Sequence, residues 1–254
     1  MIYVVLPAYN EEQNVRELLN ELCLTMVEVL PHMTFELVVI DDGSQDNTVG
    51  AVEDFRCQPD KEYQNRAEVT MIRHDINQGL AEAIKTGLSH CKEKAGERDI
   101  ILIMDSDNSH TPGLIPSMVR VIHEGYDVVI ASRYQRGARV IGLSMYRRLL
   151  SWCASCLLRV LFPIPNVRDY TCGFRAYRAS LIKQILAENP QFISEQGFSV
   201  MVDILLKLRR IEPEVMFAEV PLLLRYDKKL GASKMAVGRT VREILWLIVR
   251  RRFG

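Results

Sequence analysis

Ile100–Pro112 reads IILIMDSDNSHTP: five apolar residues run directly into two aspartates one residue apart, Asp105 and Asp107. A short apolar run closed by turn residues predicts a buried strand over Ile100–Met104. Pro112 suits a first helical turn, and Leu114–Glu124 is expected to continue as a helix. Upstream, Ile2–Leu6, Phe35–Ile40 and Val69–Arg73 are further strand candidates, with Val128–Ala131 downstream. Helical spacing separates them. In Glu11–Leu30, Val15, Leu18, Leu19, Leu22, Met26 and Val29 share one face. Thr48–Phe55 and Leu80–Lys92 are the other intervening helices. Strands that alternate with helices predict an α/β fold, with a mostly parallel central sheet covered on both faces.

After Ala131 the pattern changes. Met145–Phe162 is apolar but carries Arg147, Arg148 and Arg159. Asp169–Tyr177 is compact and polar-aromatic. Gln196–Leu208 and Val237–Arg252 read as helices, and Val215–Leu224 as a strand. Without a repeat, low-complexity tract or linker, the expectation is one domain over 1–235 and a C-terminal amphipathic helix over 236–254.

Bulk composition narrows the function classes. The chain has 254 residues, 48% of them hydrophobic, enough for one large core. Lys+Arg and Asp+Glu both number 32, so no global charge argues for nucleic acid, and none is expected as a partner. Six scattered cysteines suggest a reducing, cytoplasmic setting rather than a disulfide framework. Cys153 and Cys156 form a C-x-x-C inside an apolar run, which favours buried packing over metal binding. Ile2–Leu6 is too short for a signal peptide, and no segment offers the ~20 apolar residues of a membrane span.

In open α/β sheets, ligands bind outside the carboxyl ends of the strands. Three such ends are polar: Pro7-Ala8-Tyr9-Asn10-Glu11, Asp41-Asp42-Gly43-Ser44 and Asp105-Ser106-Asp107. Close unpaired carboxylates repel each other. A divalent cation removes that repulsion, and Mg²⁺ or Mn²⁺ takes one or two carboxylates and completes its shell with phosphate and water. Asp105 and Asp107 therefore suggest a metal clamp on a diphosphate, although a solvated turn also fits the pair. Likewise Asp42 could meet a nucleotide, or its neighbours could simply form a turn and cap the next helix.

Taken together, Pro7–Glu11 (PAYNE), Asp41–Thr48 (DDGSQDNT), Asn77–Ala83 (NQGLAEA) and Asp105–Pro112 (DSDNSHTP) resemble family 2 inverting glycosyltransferases of GT-A fold in order and spacing. Ser132-Arg133-Tyr134, Asp169–Tyr177 (DYTCGFRAY) and Glu219–Met235 look like the dolichyl-phosphate mannose synthase branch, which includes polyprenyl-phosphate glycosyltransferases. The resemblance covers about residues 2–235. It implies a nucleoside site at Pro7, Tyr9, Glu11, Asp42, Gln78 and Gly79. It implies Mg²⁺ or Mn²⁺ at Asp105 and Asp107, with Ser109 where many relatives carry a Gln ligand. Arg133, Arg147 and Ser151 match acceptor-phosphate positions. Lys228 stands where relatives often have Arg, and Lys234 completes Gly231-Ala232-Ser233-Lys234. Asp169 would steer the donor sugar.

The reaction so implied moves one sugar, mannose from GDP-mannose by branch resemblance, from a nucleotide-sugar donor to a polyprenyl or dolichyl phosphate. UDP-glucose remains an alternative donor, and a soluble sugar or protein hydroxyl an alternative acceptor. A binding protein without turnover would have little need of both aspartates. A dinucleotide oxidoreductase would need G-x-G-x-x-G after the first strand, where Pro7-Ala8-Tyr9 stands. Met145–Phe162 and Val237–Arg252 are expected at a membrane interface, with Leu149, Leu150, Trp152, Leu157, Val160 and Phe162 supplying apolar area and the arginines meeting headgroups. The location so implied is peripheral, at the cytoplasmic face of a membrane. Core packing or a dimer contact is the alternative for these segments.

Overall fold

A computed structural model of the chain describes residues 1–57, 66–195, 197–211, 214–231 and 237–253. In chain order the elements are β1 (Ile2–Ala8), α1 (Val15–Val29), β2 (Phe35–Asp41), α2 (Thr48–Arg56), β3 (Ala67–Arg73), α3 (Leu80–Lys94), β4 (Ile100–Ile103) and α4 (Ile115–His123). They continue as β5 (Val128–Ser132), β6 (Arg139–Ile141), α5 (Met145–Leu161), β7 (Arg175–Arg178), α6 (Ala179–Glu188), α7 (Val200–Leu208), β8 (Phe217–Pro221), β9 (Leu223–Arg225) and α8 (Val237–Phe253). Single 3₁₀ turns at Pro112–Leu114 and Gly197–Ser199 lead into α4 and α7.

A seven-stranded sheet of order β3-β2-β1-β4-β7-β5-β8 forms the centre. β1, β2, β3 and β4 pair in parallel, as do β5 and β8; β7 runs antiparallel between β4 and β5. β2 and β4 are buried at every residue, which is why their sequences are nearly continuous apolar runs rather than alternating ones. α3 lies close over β1 because Gly87 has no side chain: a Cβ there would stand 2.3 Å from Val5 Cγ1. The chain builds outward from β1 to β3, then returns to place β4 on the other side of β1. That reversal opens a crevice between the carboxyl ends of β1 and β4.

Several expectations need correction. The strand expected over Val215–Leu224 is two strands: β8 stays in the main sheet, while β9 pairs with β6 in a separate parallel ribbon. The break follows Pro221, which has no N–H to donate to a ladder. β7 and α6 were hidden, because β7 reads Arg-Ala-Tyr-Arg. Arg175 is nevertheless fully buried, its guanidinium donating to the carbonyls of Met201 (2.6 Å) and Tyr170 (2.9 Å). Val29 ends α1 half-exposed rather than on its buried face. Cys153 is exposed and Cys156 partly so, against the packed reading of the C-x-x-C.

α5 and α8 each present an apolar face to the outside. Met145, Leu149, Trp152 and Val160 are exposed on α5, and Leu245, Trp246 and Val249 on α8. Phe162 is buried in the core instead, and Leu150 lines a cleft. The other face of α8 packs inward through Ile244, Leu247 and Ile248, and Arg251 pairs with the buried Asp203. Among the described residues, no helix is long and apolar enough to cross a membrane.

At the opposite, amino-terminal end of the sheet, Glu36 on β2 is buried under Thr70 (2.7 Å), His90 (2.7 Å) and Lys94 (3.2 Å). Burial works to raise its pKa, but hydrogen bonds from Thr70, His90 and Lys94 outweigh that and hold it below the ordinary value. A carboxylate so depressed adds stability above its unfolded pKa of about 4.3 and loses it as pH falls through the lower folded value. Lys94 is 42% exposed, so solvent screens its share. Glu36→Gln is expected to cost about 1–2 kcal/mol at pH 7 and to shrink the loss of stability between pH 7 and acid, both measured by urea unfolding.

Candidate active site

The crevice beside β1 and β4 deepens into a cleft of about 690 Å³. Its floor is stitched across the crevice: Ser106 Oγ donates to the Pro7 carbonyl (2.9 Å), and Met104 N to the Val5 carbonyl (3.1 Å). Asn10 and Asn108, in the two facing loops, take left-handed φ values of 54° and 60°, which asparagine tolerates better than most residues. The three polar strand ends thus meet at one edge.

One wall carries Pro7, Tyr9, Glu11, Asp42, Gln78 and Gly79, the six expected nucleoside residues. Asp42 organises it. Its Oδ1 accepts from Gln78 N (2.9 Å) and lies 2.8 Å from His74 Nδ1, and its Oδ2 accepts from Gly79 N (2.8 Å). Gly79 holds φ at +91°, a conformation side chains resist, and no atom would meet a Cβ there. The β2 loop therefore fixes the α3 N-terminus through backbone donors. Glu11 is held from the other side by Asn14 Nδ2 (2.7 Å).

Asp105 and Asp107 stand at the end of β4, both lining the cleft. Burial, and then the neighbouring Asp107 charge, raise the Asp105 carboxyl above the usual range, with His110 and Lys229 opposing. At Asp107 burial also acts upward, but the Lys229 ammonium and the bonds from Lys229 and Ser109 prevail and hold it low. Lys229 Nζ sits 2.5 Å from Asp107 Oδ2, and Ser109 N donates to Oδ1 (3.0 Å). Among the described residues no three His, Cys, Asp or Glu side chains form a metal cage. Two carboxylates facing an open cleft instead fit a hard cation that shares its shell with phosphate and water. A cation, the Lys229 ammonium, already lies against Asp107. Ser109 lines the same cleft, with its backbone N–H committed to Asp107.

The far wall is cationic. Arg133, at the end of β5, forks onto Asp169 through Nε (2.8 Å) and Nη2 (2.6 Å). It also reaches Thr171 through Nη2 (2.5 Å) and Ser151 Oγ through Nη1 (3.1 Å). A guanidinium has five N–H groups, so one remains on Nη1. Asp169 is fully buried and receives the N–H groups of Arg133, Thr171 and Cys172 as well. Burial would raise its pKa, but Arg133 overrides that and holds it low. It does not line the cleft, so the expectation that Asp169 meets the donor sugar is corrected: it positions Arg133. Arg147 lines the cleft one helical turn before Ser151 and donates to Tyr226 Oη (3.0 Å).

Lys228 is also corrected. It pairs with Glu21 on α1 (2.7 Å), outside the cleft, and its neighbour Lys229 faces inward instead. Lys234 lies outside the described residues. Lys229 and His110 were missed from the sequence. His110 is buried, stacked on Phe174 at 5.2 Å, with Nδ1 3.9 Å from Asp105 Oδ2. Its only sequence signal was its place three residues after Asp107. Removing one member of a buried ion pair strands the other charge. Asp169→Ala is therefore expected to destabilise the protein by about 3 kcal/mol in urea or thermal unfolding, and Asp107→Asn, which strands the buried Lys229 ammonium, is expected to destabilise it as well.

Residues 3–186 match the model of Glycosyl transferase family 2. Similar proteins include a dolichol-phosphate mannosyltransferase of Pyrococcus furiosus, 30% identical over 98% of this chain and 63% of that protein. An undecaprenyl-phosphate mannosyltransferase of Micrococcus luteus is 28% identical over 93% of this chain and 88% of its own length. The chain thus spans less than two thirds of the archaeal relative. Among solved structures, glucosyl-3-phosphoglycerate synthase from Mycobacterium tuberculosis superposes with a TM-score of 0.66 at 23% identity, covering 100% of this chain and 78% of that one. That likeness gives the same fold, and the match across residues 3–186 spans the Asp42 wall, the Asp105–Asp107 pair and the Arg133 wall alike, which makes the chain a member of glycosyltransferase family 2.

Proposed function

We propose that the protein transfers one sugar from a nucleoside diphosphate to a polyprenyl phosphate, with inversion, and that mannose from GDP-mannose is the donor pair. The observation that carries this reading is a cationic wall facing an acidic floor across one cleft: Arg133, Ser151 and Arg147 opposite Asp105 and Asp107. Arg133 is neutralised by Asp169, so Arg147, which makes no ion pair among the described residues, supplies the uncompensated charge. A cleft built for a neutral sugar hydroxyl has no use for that charge. The relatives' names point the same way: both act on a polyprenyl-type phosphate as mannosyltransferases.

The nucleoside sits against Pro7, Tyr9, Glu11, Asp42, Gln78 and Gly79, with its diphosphate toward Asp105 and Asp107. Those two carboxylates hold Mg²⁺ or Mn²⁺, which stabilises charge on the diphosphate when bound; the mycobacterial synthase was solved with Mn²⁺ and UDP. Ser109 is placed to support that shell directly or through water. Arg133 and Arg147, with Ser151, orient the acceptor phosphate. One of its oxygens forms the bond to the anomeric carbon, while the bond from that carbon to the diphosphate breaks and its electron pair stays with the leaving group. A phosphate monoester has its second pKa near ~6, so the nucleophile is already anionic at neutral pH and needs no dedicated base.

The exposed apolar faces of α5 and α8 flank the acceptor wall and carry Arg148, Arg159, Arg242 and Arg250 at their margins. They suit the interface of an anionic membrane at its cytoplasmic face, where the acceptor's lipid tail resides. The module is then 1–235, with 236–254 its interfacial helix.

Incubation with GDP-mannose, UDP-glucose and other nucleotide sugars, with polyprenyl phosphate and Mn²⁺, should give a hexosyl phosphate lipid by mass spectrometry. Product with 3-phosphoglycerate or free sugars in place of the lipid would reject the acceptor assignment. Asp107→Ala should abolish turnover. Arg147→Gln should raise the acceptor KM about tenfold with the donor KM unchanged. The double variant Trp152→Glu, Trp246→Glu should stay with the soluble fraction in flotation with anionic vesicles, where the wild type floats.

A further inference from the structure

Lys229 lines the cleft, and its present partner, Asp107, is also the residue assigned above to the divalent ion. The two are 122 positions apart in sequence, and the pair is nearly sealed, with side chains only 10% and 11% exposed. Both flanks of Lys229 are pinned. Lys228 Nζ is paired with Glu21 (2.7 Å), and Lys228 N donates to the Arg225 carbonyl (3.0 Å). Leu230 N donates to Asn14 Oδ1 (3.1 Å), and Asn14 Nδ2 returns a bond to the Leu230 carbonyl (3.1 Å). Asn14 is buried and also holds Glu11 on the nucleoside wall. The backbone at Lys229 is thus tied to α1 on either side, while its four-carbon stem, which also carries the ammonium over the Tyr226 ring (5.5 Å), has rotatable bonds of its own. Its ammonium can change partner without leaving the cleft.

Charge decides which partner it changes to. With Asp105 and Asp107 alone, the floor carries two negative charges, one of them compensated by Lys229. A divalent cation on the two carboxylates makes the floor neutral and deprives Lys229 of Asp107, leaving the Glu11 carboxylate and the Tyr226 ring acting on it. The donor brings a diphosphate with two negative charges, and transfer adds a third as the glycosidic electron pair departs. For a buried ammonium deprived of its carboxylate, those oxygens are a stronger partner than the Tyr226 ring 5.5 Å away.

We infer that Lys229 is a tethered counterion that fills the cation position at Asp107 before substrate arrives, yields it to the divalent ion, and then binds the leaving diphosphate. This rests on the metal and donor assignment above and adds to it a residue that competes with the metal yet assists the nucleotide. The two roles have opposite signs, which a merely structural lysine would not produce.

Lys229→Gln tests it by binding alone, without turnover. Mn²⁺ titration in the absence of nucleotide, read by the electron paramagnetic resonance of free Mn²⁺, should show about tenfold tighter binding than wild type. Calorimetric titration of GDP and of UDP at saturating Mn²⁺ should show about tenfold weaker binding for whichever nucleotide the wild type prefers. Lys229→Arg, which keeps the charge, should retain nucleotide binding and guards against a folding defect in the glutamine variant. Affinities that are both unchanged, or that move in the same direction, overturn the inference while leaving the transfer reaction standing. Loss of Mn²⁺ binding in wild type and variant alike, matching an Asp107→Asn control, overturns the metal assignment and the inference with it.

Discussion

Two carboxylates one residue apart at the end of a central strand cannot both be ionised in a cleft unless positive charge is brought to them. That constraint organises the surroundings of Asp105 and Asp107. Lys229 arrives from the loop after β9, and His110 comes from the turn that follows the pair itself. Across the cleft, Arg133 is held by Asp169 with almost every donor committed. Arg147 is left as the charge that answers a second anion. The result is an acidic floor suited to a cation and a basic wall suited to a phosphate.

The fold supplies this layout from two separately built halves. The parallel half, β1 to β4, delivers the wall of Pro7, Glu11, Asp42 and Gly79 and the acidic floor, because the reversal of strand order puts the β1 and β4 loops side by side. The basic wall comes from the later half, where β5 joins the same sheet through β7 while α5 and the β6–β9 ribbon border the cleft. The ribbon is joined to the acidic loop directly: Arg225 N donates to the Ser109 carbonyl (2.8 Å), and Thr111 Oγ1 to that of Leu223 (3.1 Å). A shift of the ribbon would therefore be felt at the Asp105–Asp107 loop.

The strand ends were legible in the sequence, because periodicity marks where each strand stops and so drew attention to Pro7–Glu11, Asp42 and Asp105–Asp107; their reading as a donor site came from the family resemblance. The acceptor side was legible only as cations of matching type. Lys228 and Lys229 are adjacent and chemically identical, yet one pairs with α1 and the other enters the cleft. Composition cannot separate them, since a loop has no fixed period to assign a side. Asp169 illustrates the opposite error, a carboxylate in a polar stretch that turns out to be wholly consumed by Arg133. β7 was unreadable for a related reason: its arginine is buried against carbonyls supplied by α7 and the Asp169 loop.

The sequence by itself determined the alternation of strands and helices and the strand ends at which polar residues gather. These depend on short-range geometry, the two-residue repeat of a strand and the 3.6-residue repeat of a helix. Only the tertiary structure decided which charges are neutralised and which remain available. Coulomb energies depend on separation and burial, and for Asp107 and Lys229, or Arg133 and Asp169, neither exists until the chain has folded.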